Sequence, residues 1–130
     1  ARYAPGDDLD LIASYTYLDA TEPAGREVRR PKNQAAADAT WRVNGGPLKL
    51  NLGVTYNGKQ DDTDFATFLR ASESAYTLIR IGASYQLTGQ IELYGRVENL
   101  TDEDYQEVID YRGSPQSFFL GVRFRDDKTK

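Results

Sequence analysis

The side chains able to do chemistry in this sequence are charged ones: 16 lysines and arginines against 20 aspartates and glutamates in 130 residues, with no histidine and no cysteine. Lacking both, the chain cannot build a Ser-His or Cys-His nucleophile pair, a disulfide framework or a thiolate metal site. The basic residues cluster at Arg26, Arg29, Arg30 and Lys32, and the acidic ones at Asp61, Asp62 and Asp64 and at Glu98, Asp102, Glu103 and Asp104. Carboxylate-only catalysis needs two acids whose surroundings split their pKa values, and exposed loop acids have no cause to differ. The 61–64 acids carry oxygen ligands suited to calcium but lack the glycine and distal glutamate of the calcium loop. Asn99 and Asp102 have the chemistry to cap a turn by bonding local backbone amides. No enzyme, resident cofactor or metal is expected. A formal charge of -4 argues against a nucleic-acid partner, which needs a clustered basic excess.

The elements that must carry these groups are legible as alternation. Between 75 and 87, Ile79, Ile81, Ala83, Tyr85 and Leu87 alternate with Arg80, Gly82, Ser84 and Gln86. Period two with unlike faces is a strand. The same scheme recurs at 9–17, 34–43, 48–56, 91–98 and 117–124, most cleanly as Leu48, Leu50, Leu52, Val54 and Tyr56 against Lys49, Asn51, Gly53 and Thr55. The alanine-rich 34–43 stretch is a strand too, because its apolar set recurs at two and not at three or four. Ile12 blurs the first strand by lying on its polar face.

Residues 1–8 read as a turn, 44–47 as a tight reversal carried by Gly45 and Gly46, and 88–90 as a short turn. The stretches 19–33, 57–74 and 100–116 read as long loops, with a helical turn or strand extension around Phe65, Phe68 and Leu69. Connections therefore alternate long and short, and each strand holds about ten residues, the length of a tilted membrane strand. The predicted fold is all-β: an antiparallel up-and-down meander of six strands forming part of a transmembrane β-barrel over 1–124, with a charged tail at 125–130.

Aromatic residues on the apolar faces fall into two belts. Tyr17, Tyr56 and Phe118 sit at the outer strand ends, and Trp41, Tyr85 and Phe124 at the inner ends. Such belts are expected where amphipathic rings meet the two headgroup levels. Ordinary core aromatics of a soluble sandwich are the alternative.

In order and spacing, several segments resemble the C-terminal end of TonB-dependent outer-membrane receptors of the cobalamin and siderophore group. They are 13–20 (ASYTYLDA), Arg29-Arg30-Pro31-Lys32, Val54-Thr55-Tyr56-Asn57-Gly58, Arg96-Val97-Glu98-Asn99-Leu100-Thr101-Asp102 with Tyr105, then Tyr111, Gly113 and the closing 118–124 (FFLGVRF). The chain departs from that pattern at Gly113-Ser114-Pro115-Gln116 and in continuing past Phe124. The resemblance implies a bacterial outer-membrane location and a barrel of about 22 strands around a plug, of which these would be the last six. It implies that Lys49, Arg80, Glu92, Arg96, Glu98 and Arg123 line the lumen in mixed-sign ion pairs. Arg26, Arg29, Arg30 and Lys32 would then form an outer rim meeting lipopolysaccharide or a ligand carboxylate, if they are not simply a solvated loop. Implied partners are outer-membrane lipid, the plug and remaining strands, and TonB. The implied function is uptake of a siderophore, corrinoid or similar scarce ligand, with this segment not transport-competent alone. The competing reading is a self-contained small β-module, oligomeric through edge strands that would otherwise stay unpaired.

Overall fold

The computed structural model describes residues 1–23 and 25–126. Seven antiparallel strands form one sheet in sequence order: β1 (Arg2–Tyr3), β2 (Leu9–Tyr17), β3 (Asn33–Arg42), β4 (Leu48–Asn57), β5 (Tyr76–Gln86), β6 (Ile91–Glu98) and β7 (Ser117–Phe124). Register keeps apolar opposite apolar across the sheet: Leu11 faces Ala39, Ala39 faces Leu52, Leu52 faces Ile81, Ile81 faces Val97 and Val97 faces Phe118. A slip of one residue would turn each strand's apolar set to the polar side, so the alternation itself specifies this register.

Three expectations need correction. Residues 1–8 are not all turn, because Arg2 and Tyr3 pair with Ile12 and Leu11 as a short edge strand, assisted by the bidentate Arg2–Asp10 contact at 2.8 Å. The reversal after β3 uses Asn44 and Gly45, at φ 50 and 65, and not the two glycines, since Gly46 has φ -83. Asn-Gly is the pair that tolerates two left-handed positions in succession. The long connections also contain small ribbons of their own: Thr21–Glu22 with Gly25–Arg26, Gln60–Thr63 with Arg70–Glu73, and Gln106–Val108 with Tyr111–Arg112. Residues 127–130 of the charged tail lie outside the described residues.

The sheet has no conventional core. Among the described residues, Tyr76 and Ile109 are the buried apolar side chains, and both belong to the long-connection end. The apolar face of the sheet is exposed instead, with Leu52 46 %, Phe118 71 % and Leu120 91 % accessible. A contiguous face of this kind is not left to water, since burying a single Leu or Phe is worth about 1.5–3 kcal/mol.

Candidate functional site

The polar face is the concave counterpart of that apolar surface, and cross-strand register decides its pairings. Glu92 stands opposite Arg123, and their side chains meet at 3.0 Å, with Arg125 joining Glu92 at 3.4 Å. Arg96 pairs with Glu98 at 3.0 Å and lies 4.4 Å above the Phe119 ring. Arg80 reaches two strands away to the Asp38 carboxylate by passing over Gly53, where an added Cβ would collide with the guanidinium chain. A side chain at position 53 would thus have to displace the Arg80 arm from this path. In the same way Tyr94 lies flat over Gly121, a ring covering the bare backbone opposite it, with Arg123 5.3 Å from its centroid. With Thr40 and Asn51, joined at 2.8 Å, the side chains of Asp38, Arg80, Glu92, Tyr94, Arg96, Glu98 and Arg123 line a concavity of about 520 Å³. Lys49 lies on the same face, opposite Arg42 and Ser84. Arg80, Glu92, Arg96, Glu98 and Arg123 thus share one face of the sheet with Lys49, and the first five are engaged in ion pairs.

The remaining polar chemistry gathers at the end bearing the long connections, and it centres on a residue that sequence reasoning left in an exposed acidic cluster. Asp62 is fully buried. Its Oδ1 accepts from Arg29 Nε at 2.9 Å and from its neighbour's amide, Thr63 N, at 2.7 Å, while Oδ2 accepts from Ile109 N at 3.1 Å. Burial pushes its carboxyl pKa up, but donation from the two amides and from Arg29 outweighs burial and holds the group below its ordinary value. Around it, Arg29 N donates to the Asp61 carbonyl at 2.7 Å and Gln60 Nε2 to the Glu107 carbonyl at 2.8 Å. Asn57 Nδ2 donates to the Tyr76 hydroxyl at 2.7 Å, which in turn donates to Glu107 Oε1 at 3.3 Å. Tyr76 stacks on Tyr105 at 4.6 Å, and Tyr105 covers Gly113.

Of the four rim cations, Arg29 is therefore engaged below by Asp62 and alongside by the Phe65 ring at 5.3 Å. Arg30 meets Glu27 at 3.4 Å, and Lys32 meets Asp19 at 3.3 Å and approaches the Tyr17 ring at 5.2 Å. The Arg26 side chain lies outside what the structure describes. Asp64 organises the loop tip, accepting from Ala66 N at 2.7 Å and Thr67 Oγ1 at 2.8 Å. These donors, the hydroxyl foremost, lower its pKa. Asp62 and Asp64 thus point to different partners, and no group of three among the described residues has metal-ligand geometry.

Asn99 behaves as its sequence position suggested. With φ 50 and its side chain buried, it accepts from Glu103 N at 2.9 Å and donates to the carbonyls of Glu103 and Ser114 at 2.9 and 3.1 Å. Asp102, at φ 51, accepts from the more distant Gln116 N at 2.9 Å and so ties the start of the third connection to its end. Six aromatic residues lie on the apolar face, Tyr17, Tyr56 and Phe118 at the strand ends on the side of the long connections and Trp41, Tyr85 and Phe124 at the ends on the side of the short turns, whereas Tyr94 and Phe119 lie on the polar face. The signal that sequence reasoning passed over was glycine opposite a bulky side chain, at Gly53, Gly113 and Gly121.

An antiparallel meander with an exposed apolar face, an ion-paired concave face and alternating connection lengths defines the wall of an outer-membrane β-barrel. Comparison with known proteins specifies the family. Residues 2–100 match the model for the TonB dependent receptor-like β-barrel. The vitamin B12 transporter BtuB of Photobacterium profundum is 30 % identical over 114 residues, 86 % of this chain and 18 % of that protein. Among solved structures, Pseudomonas aeruginosa FpvA bound to heterologous pyoverdines superposes with a TM-score of 0.80 at 19 % identity over 95 % of this chain. The ferric-catecholate import receptor Fiu of Escherichia coli K12 gives 0.79 at 20 % identity over 92 %. The chain spans 18 % of the FpvA chain and 19 % of the Fiu chain. It belongs to the TonB-dependent receptor family, as part of the β-barrel of these bacterial outer-membrane proteins.

Proposed function

We propose that this chain is a C-terminal wall segment of a TonB-dependent receptor that takes up a corrinoid, a siderophore or a similarly scarce ligand. It has no catalytic role and does not transport alone. The observation that carries the reading is the opposition of faces: an exposed apolar surface on one side and on the other a concavity whose charges are paired across strands. The apolar side meets lipid, with Tyr17, Tyr56 and Phe118 at one headgroup level and Trp41, Tyr85 and Phe124 at the other. Lys49, Arg80, Glu92, Arg96, Glu98 and Arg123 face the lumen and the plug. Arg26, Arg29, Arg30 and Lys32 form the outer rim toward lipopolysaccharide or ligand, and TonB is engaged elsewhere in the receptor. The edges at β1 and β7 pair with neighbouring strands of the same barrel, because unpaired backbone groups in hydrocarbon cost several kcal/mol each, of order 2–7 by transfer measurements.

Uptake of labelled cobalamin and labelled ferric siderophores by cells expressing the receptor, with and without TonB, tests this reading. TonB-dependent accumulation of one ligand is expected. Accumulation of none, or a detergent-free soluble oligomer formed by the chain, would contradict it.

A further inference from the structure

The structure assigns to Asp62 the role of a positioning residue: it fastens the three long connections into one body, so that they shift over the polar concavity together. This rests on the outer placement proposed above.

Three observations meet at this carboxylate. Among the described residues Asp62 has the one fully buried side chain, in connections that are largely exposed apart from neighbours such as Ile109. Its carboxylate oxygens accept from all three: Arg29 Nε of the first, Thr63 N of the second and Ile109 N of the third. Sequence separations of 33 and 47 residues show that no local turn rule produces this meeting. The backbone is in the left-handed region without glycine at Arg29 (φ 57), which carries one incoming donor, and at Asp110 (φ 67), the residue after the other donor, Ile109. Unfavourable dihedrals persist where the surroundings over-determine them. Arg29 N to the Asp61 carbonyl and Gln60 to the Glu107 carbonyl repeat the same connectivity around the carboxylate. A ribbon held to both neighbours in this way cannot swing without dragging them. The carboxylate is buried while Arg29 is exposed on its outer side, so losing Arg29 frees the first connection and leaves the second and third joined through Thr63 N and Ile109 N.

The chain has no cysteine, so introduced thiols are unique within it. Spin labels at Arg30→Cys, Ala66→Cys and Tyr111→Cys, taken in pairs on the purified receptor, report distances between the first, second and third connections. Leu11→Cys with Val122→Cys reports on the sheet. Narrow single maxima are expected for all pairs. Asp62→Asn removes one acceptor oxygen and should abolish the narrow maxima of all three connection pairs while the sheet pair stays sharp. Arg29→Ala should broaden 30–66 and 30–111 and leave 66–111 narrow. Unchanged distances in Asp62→Asn, or broadening confined to one connection, overturn the proposal. Should Asp62→Asn loosen the sheet as well, the Arg29→Ala pattern decides alone: selective broadening supports the latch and no change refutes it. The placement is read separately, by a membrane-impermeant maleimide on intact cells. Failure to label all three sites would sink the outer placement and leave the distance result standing.

Discussion

Placing an arginine on the apolar face at different depths should separate hydrocarbon from any other covering. Leu52 is central in β4, with Ala39 and Ile81 as cross-strand neighbours, and its side chain is 46 % exposed. An arginine at the midplane of a barrel's lipid face costs about 2–4 kcal/mol, falling to about 0–1 near the interfaces. Leu52→Arg should therefore lower the folding equilibrium constant by roughly 30- to 1,000-fold, at about 1.4 kcal/mol per tenfold. Tyr56→Arg, four residues on at the long-connection end of the same face, should cost about 0–1 kcal/mol for its charge, plus the loss of a ring. Asn51→Arg, adjacent in sequence but on the polar face, should lose little more than its hydrogen bond to Thr40, about 0.5–1.5 kcal/mol. The assay is reversible denaturant unfolding of the receptor in phospholipid vesicles. Equal costs at Leu52 and Asn51 would refute the assignment of faces. A Leu52 cost no greater than that at Tyr56 would refute the depth assignment.

Other consequences follow from individual contacts. Gly121→Val drives a side chain into the Tyr94 ring and should destabilise the barrel by about 1–3 kcal/mol in the same unfolding assay, an overpacking cost that Tyr94→Ala should largely relieve. Asn99→Ala strips bonds from the turn after β6 and should cost about 1–3 kcal/mol. Asn99→Gly, which keeps the positive φ but not the bonds, should recover only part of that loss. Because Asp62 titrates below its ordinary value of 3.8, the stability it gives the connections is complete above that pH and is lost as pH falls through the lowered value. Hydrogen-exchange protection at the amides of Thr63 and Ile109 should drop in that acid window. Arg29, Asp61, Asp64, Glu107 and Asp110 share the neighbourhood, and Asp62→Asn, which lacks the step, is the control.

Strand positions were legible because one face must be uniformly apolar and the other polar, which writes period two into every spanning segment. Leu48 to Tyr56 could hardly be read otherwise. The ion pairs were legible as a class but not as partners: that Arg80 meets Asp38 depends on Gly53 being small between them. The edge strand at Arg2–Tyr3 and the ribbons of two to four residues were hidden, since pairing so short is held by tertiary contacts and not by local pattern. Asp62 was the largest omission. Nothing in Asp61-Asp62-Thr63-Asp64 distinguishes the buried carboxylate from its neighbours, because what buries it arrives from Arg29 and Ile109, far away in sequence.

The central claim is tested most directly by a nitroxide accessibility scan along β4 in the membrane, from position 48 to 56 and omitting the sterically closed Gly53. Labels at 48, 50, 52, 54 and 56 should collide preferentially with dissolved oxygen, strongest at 52, and labels at 49, 51 and 55 with a water-soluble nickel chelate. Absence of this two-residue alternation, or its reversal, would contradict the account.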